Sequence, residues 1–330
     1  MRAAPAPFSL PDFGLGAAGL GNLYTAVSDA QASHTLTAAQ AAGLTYIDTA
    51  PFYGHGLSEQ RVGAHRWAEG AQPFLSTKVG RRLEPAAGRP VPDNGFADPA
   101  PFVPVFDYSA HGIRAAFEGS QARLGVPSVD VLLLHDIGEM THGAAHPQIL
   151  AQALEESLPE MAAMKWEGLT RAIGLGVNEI DVCRDVLEHF DLDLLLLAGR
   201  YTLLEHAASL GFLDECHRAG VKVIIGGAFN SGLLAAAPGD ALHYNYAAAP
   251  GWAVERANAL RDVCGSFGAS LPAAALHFCK AHPAVISVVP GAQSAAQVNQ
   301  IASWIGETID PALWTALKDK GLISAEAPVP

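Results

Sequence analysis

Short runs of apolar residues recur along the chain at 13–20, 44–47, 74–78, 129–135, 171–177, 192–198, 221–226 and 285–289. Most are near-continuous Val, Ile and Leu rather than alternating apolar and polar, the pattern of strands covered on both faces of a parallel sheet. Between them lie segments with an amphipathic, helical period, at 34–42, 58–67, 111–124, 148–167, 179–190 and 252–267. A further helix is predicted over 271–282, where Pro272 occupies a first-turn position that needs no N–H. Eight strand–helix units in 330 residues predict an α/β chain folded as one (β/α)8 (TIM) barrel, a single domain over 1–330. Two connections are too long to be ordinary. Residues 83–108 carry Pro85, Pro90, Pro92, Pro99, Pro101 and Pro104, which excludes a central strand or helix there. Residues 234–251 are rich in Ala, Gly and Pro and embed His243, Tyr244 and Tyr246. Both follow strands, so both are expected as active-site loops on the C-terminal face of the barrel.

Composition narrows the function. Half the residues are hydrophobic, which excludes disorder, and 33 acidic against 20 basic residues give a net charge of −13. Without a basic stripe to neutralise phosphates, no nucleic-acid partner is expected. No apolar run approaches the length of a membrane span, and residues 1–10 have no apolar core of a signal peptide. Cys183, Cys216, Cys264 and Cys279 form no CxxC pair and read as reduced core thiols of a cytoplasmic protein. His142 and His146 have i,i+4 spacing but sit in a Gly/Ala/Pro stretch without a carboxylate cluster, so no metal site is expected. A monomer and a homodimer are both left open.

Gly14-Leu15-Gly16-Ala17-Ala18-Gly19 matches the GxGxxG dinucleotide fingerprint. That motif needs a strand before it, a helix opening from it and an acidic residue about 20 positions on. Here Pro11 lies upstream, Gly21-Asn22 follows, and Asp48 is too distant and ends another strand. The better reading is a Gly-rich first barrel strand whose backbone at Gly16 and Ala17 approaches a ligand closely.

Polar residues stand at the C-terminal ends of successive strands. Asp48 ends the second strand, Tyr53 follows five residues later, Lys78 ends the third and His135 ends the fourth. Each has an ordinary structural explanation on its own. Together they do not, because a Lys at the inner end of a buried strand is costly unless paired, and Asp48 is the neighbouring partner.

Asp48-Thr49-Ala50-Pro51-Phe52-Tyr53-Gly54, Ser76-Thr77-Lys78 and the segment from Val129-Asp130 to His135 closely resemble the aldo-keto reductases. So do Glu167-Gly168, Gly176-Val177-Asn178-Glu179 and the Pro290-Gly291 turn, in the same order and over nearly the whole chain. The resemblance implies a barrel that binds a nicotinamide cofactor in extended form. It implies Tyr53 as general acid/base, Lys78 as its electrostatic partner, Asp48 holding Lys78, and His135 orienting the substrate oxygen. A free phenol is a poor base near neutral pH. An ammonium about 4 Å away, at an effective dielectric near 20, favours the phenolate by about 4 kcal/mol.

The same resemblance implies that Asn178 bonds the nicotinamide carboxamide, the alternative being a helix N-cap before Glu179. Ala198 replaces the family's usual Gln, Tyr201 is retained, and the stacking aromatic falls on Gly226, so Phe229 or Tyr201 is left to supply the ring face. Gly227 to Leu234 resembles the loop over the pyrophosphate, with Ser231 as a phosphate donor. After the eighth strand, NADP-using relatives carry a Lys and an Arg, whereas this chain has Gly291 and Gln297 there, with Gln293 and Ser294 nearby. No Lys or Arg occurs between Lys280 and Lys318, which points to NAD rather than NADP. Cellular NAD is mostly oxidised, which favours oxidation as the direction.

Within the family, the segment from Gly14 to Tyr24 and the Pro-rich loop look most like the sugar 1-dehydrogenase branch. That branch includes D-threo-aldose (L-fucose) dehydrogenases, L-galactose dehydrogenase and a pyridoxal 4-dehydrogenase. The implied reaction is oxidation of an aldose C1 hemiacetal to its lactone, with Asn22, Tyr24, Tyr53, His135 and Trp252 around the substrate. Pyridoxal oxidation is the alternative, supported by the loop aromatics Phe102, Phe106, Tyr108, Tyr244, Tyr246 and Trp252. An NADP-dependent carbonyl reductase is a further alternative.

Overall fold

The computed structural model describes residues 9–68, 70, 72–237, 239–245 and 247–330. Residues 1–8 of the segment read above for a signal peptide, and Tyr246 of the second long loop, lie outside the described residues. Eight strands form one parallel sheet: β1 (Leu15–Gly16), β2 (Tyr46–Asp48), β3 (Phe74–Val79), β4 (Val129–His135), β5 (Thr170–Val177), β6 (Leu194–Ala198), β7 (Lys222–Gly226) and β8 (Val285–Val289). Each pairs with the next in parallel. The ring closes where Phe13 and Gly16 bridge in parallel to Val288 and Gly291, with the Gly14 and Gly16 N–H groups donating to Val288 and Pro290. This is a (β/α)8 barrel.

The apolar runs are continuous because both faces of each strand are covered. Val131 and Leu133 point into the barrel with Tyr46, Ala172, Leu194, Leu196, Ile224 and Val289, while Leu132 and Leu134 pack outward against the helices. By the same alternation, Asp48 lies two residues beyond Tyr46, Lys78 two beyond Ser76, and His135 two beyond Leu133. Strand pleating therefore turns all three into the upper mouth of the barrel.

The first strand is far shorter than the apolar run at 13–20. Only Leu15–Gly16 is extended, and Ala17–Gly21 turns into a 3-10 helix. Its glycines serve backbone packing. A Cβ on Gly14 would lie 2.5 Å from the Tyr46 carbonyl oxygen, and one on Gly21 would lie 2.6 Å from the Tyr53 carbonyl carbon. The glycine motif thus seats the Tyr53 loop, and no Rossmann unit forms.

The Pro-rich loop contains an antiparallel hairpin outside the barrel, Arg81–Pro85 paired with Phe102–Phe106. A two-stranded ribbon has free edges, so its prolines do not have to interrupt a ladder. The predicted 148–167 helix is interrupted. His146–Gln152 and Leu158–Trp166 are joined by a π-helical turn, Ala153–Ser157, just before Pro159, whose ring cannot fit a regular α-turn. Elsewhere Ser28 caps Asp29–Ala41 by accepting from the Gln31 N–H, starting that helix before the predicted residue 34. No described helix is long and apolar enough to cross a membrane.

Candidate active site

Lys78 is 1% exposed, so its charge survives only if fully partnered. Its Nζ donates to Asp48 Oδ1 and Oδ2 at 3.0 and 2.8 Å and to the Thr49 carbonyl at 2.9 Å. It also donates to the Tyr53 hydroxyl at 3.0 Å. Burial works against the ammonium, yet Asp48 and Tyr53 outweigh it and hold Lys78 above the ordinary lysine range. Ser76 Oγ donates to Asp48 Oδ1 at 2.7 Å and lies 2.9 Å from the Tyr46 hydroxyl, so the carboxylate is anchored from below. Gly176 on β5 leaves room for the lysine stem, since a Cβ there would lie 3.3 Å from Lys78 Cε.

His135 is held neutral. Burial, then the charges of Arg81 and Lys78, drive it well below the usual histidine range. Its Nε2 lies 3.4 Å from Asp136 Oδ2, and Asp136 is in turn ion-paired to Arg81 at 2.5 Å. Burial pushes the Asp136 carboxyl up, against the opposing pull of Arg81 and Lys78. The Arg81 guanidinium lies 3.9 Å from the Phe52 ring centroid and 4.6 Å from that of Phe106. Sequence reasoning missed both Arg81 and Asp136. The available signal was a second ionisable residue directly after a strand-end His, with an Arg just past the neighbouring strand. His142 Nε2 contacts the Asp136 carbonyl and the Tyr108 hydroxyl, and His146 Nδ1 contacts the Ile137 carbonyl. These two histidines therefore tie down the turn after β4, and no metal-ligand cluster occurs among the described residues.

Two cavities meet above these groups, sharing Ala18, Leu23, Tyr24, Tyr53, Asn178, Leu196 and Ala198. The first, about 350 Å³, runs along the ends of β6 to β8; its lining includes Gly16, Gly227, Phe229, Ser231, Gly291, Gln293 and Gln297. Among the described residues, Asp48 is the only charged one in that lining, and no Lys or Arg reaches it. The second, about 300 Å³, is walled by Phe52, Phe96, Asn94, Lys78, His135 and Asp136.

Several sequence-based placements need correction. Ala17 is buried beneath the cavity, its carbonyl accepting from Ser58. Asn22 is buried too, its side-chain oxygen taken by the Val27 N–H and Arg61, so it braces a loop. Tyr201 turns into the core and stacks on Phe278, which removes it as a ring face for a cofactor. Trp252 stands half-exposed against Tyr244, outside both cavities. Among the described loop aromatics, Phe102, Phe106, Tyr108 and Tyr244 also line neither cavity; Phe52 and Phe96, an edge-to-face pair at 5.4 Å, do. Asn178 is no N-cap, because the next helix starts at Asp181 behind Ile180; its Nδ2 donates to the Ala198 carbonyl at the junction of the cavities.

The profile of the aldo/keto reductase family matches residues 12–321. The chain belongs to the aldo/keto reductase family. It is 39% identical over 322 residues to a pyridoxal 4-dehydrogenase of Microbacterium luteolum, covering 94% of each chain. To a D-threo-aldose 1-dehydrogenase of Pseudomonas sp. it is 37% identical over 327 residues, covering 97% of each. Among solved structures, the holo form of an aldo-keto reductase from Bacillus halodurans matches with a TM-score of 0.73 at 22% identity, covering 96% of this chain and 93% of that one. This aldo/keto reductase is therefore an oxidoreductase of a family that works with nicotinamide cofactors, in the sugar-dehydrogenase branch foreseen above.

Proposed function

We propose that this aldo/keto reductase is an NAD-dependent aldose 1-dehydrogenase, converting the C1 hemiacetal of an L-fucose or D-threo-aldose type sugar to the lactone. The observation that carries this reading is the Tyr53 hydroxyl, 3.0 Å from a buried, carboxylate-held ammonium at the point where the two cavities meet. Asp48 keeps Lys78 charged, and Lys78 stabilises negative charge on Tyr53, so Tyr53 takes the proton of the C1 hydroxyl. His135, neutral and facing the same cavity, bonds the reacting oxygen and fixes its position. In the reverse direction Tyr53 returns the proton as acid. A bound nicotinamide supplies the hydride acceptor for the same carbon.

The larger cavity suits such a cofactor, because its lining combines amide side chains, small residues and backbone with the rings of Tyr24, Tyr53 and Phe229. Gly16, Asn178, Gly227, Phe229, Ser231, Gly291, Gln293 and Gln297 are the residues that would hold it. NAD is preferred because a 2′-phosphate would meet no cation in that lining, whereas a ribose hydroxyl finds amide partners. Gln297 Oε1 already accepts from the Gln293 N–H, and Gln293 Nε2 donates to Thr25, so the amides form an ordered rim. A second reading, pyridoxal as the hemiacetal, is favoured by the aromatic wall of Phe52 and Phe96 and by the Microbacterium relative. Tyr53→Phe tests the assignment of the base: turnover should vanish while NAD binding stays within a few-fold (roughly 1 kcal/mol) of wild type. Undiminished turnover would remove Tyr53 from this role.

A further inference from the structure

The second cavity contains a charged group that the proton-transfer scheme does not use. Asp136 follows His135 directly, lines the cavity beside it, and has a left-handed backbone with φ of 49°. That conformation is unfavourable for a residue with a Cβ and persists only where surrounding contacts impose it. The contacts are present. The Asp136 carbonyl lies within hydrogen-bond reach of the Tyr108 hydroxyl and of His142 Nε2. Its Oδ2 is bound by Arg81, whose planar head is held against the rings of Phe52 and Phe106 and cannot swing away without losing both. The other carboxylate oxygen, Oδ1, makes no hydrogen bond to any described residue. The fold thus presents a fixed carboxylate oxygen to a cavity whose remaining walls are largely aromatic and aliphatic.

The geometry relative to His135 suggests what it receives. Asp136 Oδ2 lies 3.4 Å from His135 Nε2, so the carboxylate stands directly beside the group that holds the reacting oxygen. With the reacting oxygen on His135 and Tyr53, a hydroxyl one carbon away falls against Asp136. A carboxylate can only accept there, so its partner must be a donor such as an alcohol. We propose that Asp136, held by Arg81, reads the hydroxyl on the carbon next to the reacting hemiacetal carbon, making this enzyme selective for aldoses with a free 2-hydroxyl. A 2-deoxy sugar leaves the carboxylate unmatched. In pyridoxal, the ring carbon attached to the hemiacetal carbon bears no hydroxyl, so the same acceptor goes unused. This assignment rests on the hemiacetal-oxidation reading above.

The test is a substrate–variant cycle. NADH formation is followed with L-fucose and 2-deoxy-L-fucose for wild type, Asp136→Asn and Asp136→Ala, with NAD binding as the check on folding. Wild type should prefer L-fucose by about 10- to 100-fold in kcat/KM, the effect of one hydrogen bond to a charged acceptor. The preference should shrink in Asp136→Asn, which keeps the shape but loses the charge, and approach unity in Asp136→Ala. If Asp136→Ala does not fold, the wild-type and Asp136→Asn ratios still decide. Equal use of both sugars by wild type, or an undiminished preference in the folded variants, overturns the role of Asp136 and leaves the dehydrogenase reading intact. Oxidation of pyridoxal with no turnover of either sugar overturns both.

Discussion

Replacing Lys78 with Met probes the electrostatics of the site most sharply, because the side chain keeps most of its apolar stem and loses the ammonium. The ammonium sits 3.0 Å from the Tyr53 hydroxyl. At an effective dielectric near 20, a full charge at that distance stabilises a phenolate by about 5 kcal/mol. Water entering the space returns part of this, so kcat/KM should fall by about a thousandfold, equivalent to roughly 4 kcal/mol. The rising limb of the pH–rate profile should also move to higher pH, since the base form of Tyr53 loses its counter-charge. Lys78→Met additionally strands the Asp48 carboxylate, with Ser76 as its remaining side-chain partner. An unpaired buried charge costs about 3–5 kcal/mol in stability. The double variant Asp48→Asn/Lys78→Met removes both charges and should regain most of that stability without regaining activity. Initial rates of NADH formation across pH and urea unfolding of wild type and the two variants measure both effects. A loss of less than tenfold with an unmoved pH profile would refute the claim that Lys78 supports the base.

Three further outcomes are expected. Gly176→Ala places a Cβ 3.3 Å from Lys78 Cε and should lower kcat about tenfold with little change in thermal stability, because a small displacement of Nζ disrupts positioning more than packing. Arg123→Ala strands Glu59, a fully buried carboxylate otherwise bonded to Thr77, and should lower Tm by roughly 5–15 °C by calorimetry. His206 contacts the Thr202 carbonyl through Nδ1 and accepts the Ser324 N–H at Nε2, so both nitrogens are occupied only in the neutral form. Burial lowers its pKa to about 4. Between about pH 6.5 and that value the unfolded chain binds the extra proton, so this contribution, about 3 kcal/mol, is complete above pH 6.5 and lost as pH falls. In His206→Gln, urea unfolding should show a flatter pH dependence over that interval.

The barrel was legible because strands covered on both faces are written as near-continuous Val/Ile/Leu runs, as in Val131–Leu134 of β4. Asp48, Lys78 and His135 were legible because the strand period points them the same way as the inward residues two positions earlier. Elements governed by backbone approach were harder to read. The run at 13–20 looks like a strand, yet Gly14 and Gly21 lie so close to neighbouring backbone that only two residues extend. The helix Ala207–Ala219 escaped notice because Gly211 interrupts its period. Tyr201, Asn22 and Trp252 were placed by resemblance along the chain, which carries no information on which way a side chain in a loop or at a helix start turns. Arg81 and Asp136 went unnoticed for a related reason. Their pairing joins the turn after β4 to the residue that opens the outer hairpin, two segments 55 positions apart.

If the Asp48, Tyr53, Lys78 and His135 set drives NAD-dependent oxidation of a cyclic hemiacetal, as proposed, lactone and reduced cofactor must appear together. The most direct measurement is kcat/KM with NAD and with NADP, across L-fucose, D-arabinose, L-galactose and pyridoxal, with the organic product identified by mass spectrometry. Lactone should form in step with NADH, best with L-fucose or D-arabinose, and at least about tenfold (roughly 1.4 kcal/mol) slower with NADP. A preference for NADP, or reduction of carbonyls with no hemiacetal oxidised, would contradict the proposal.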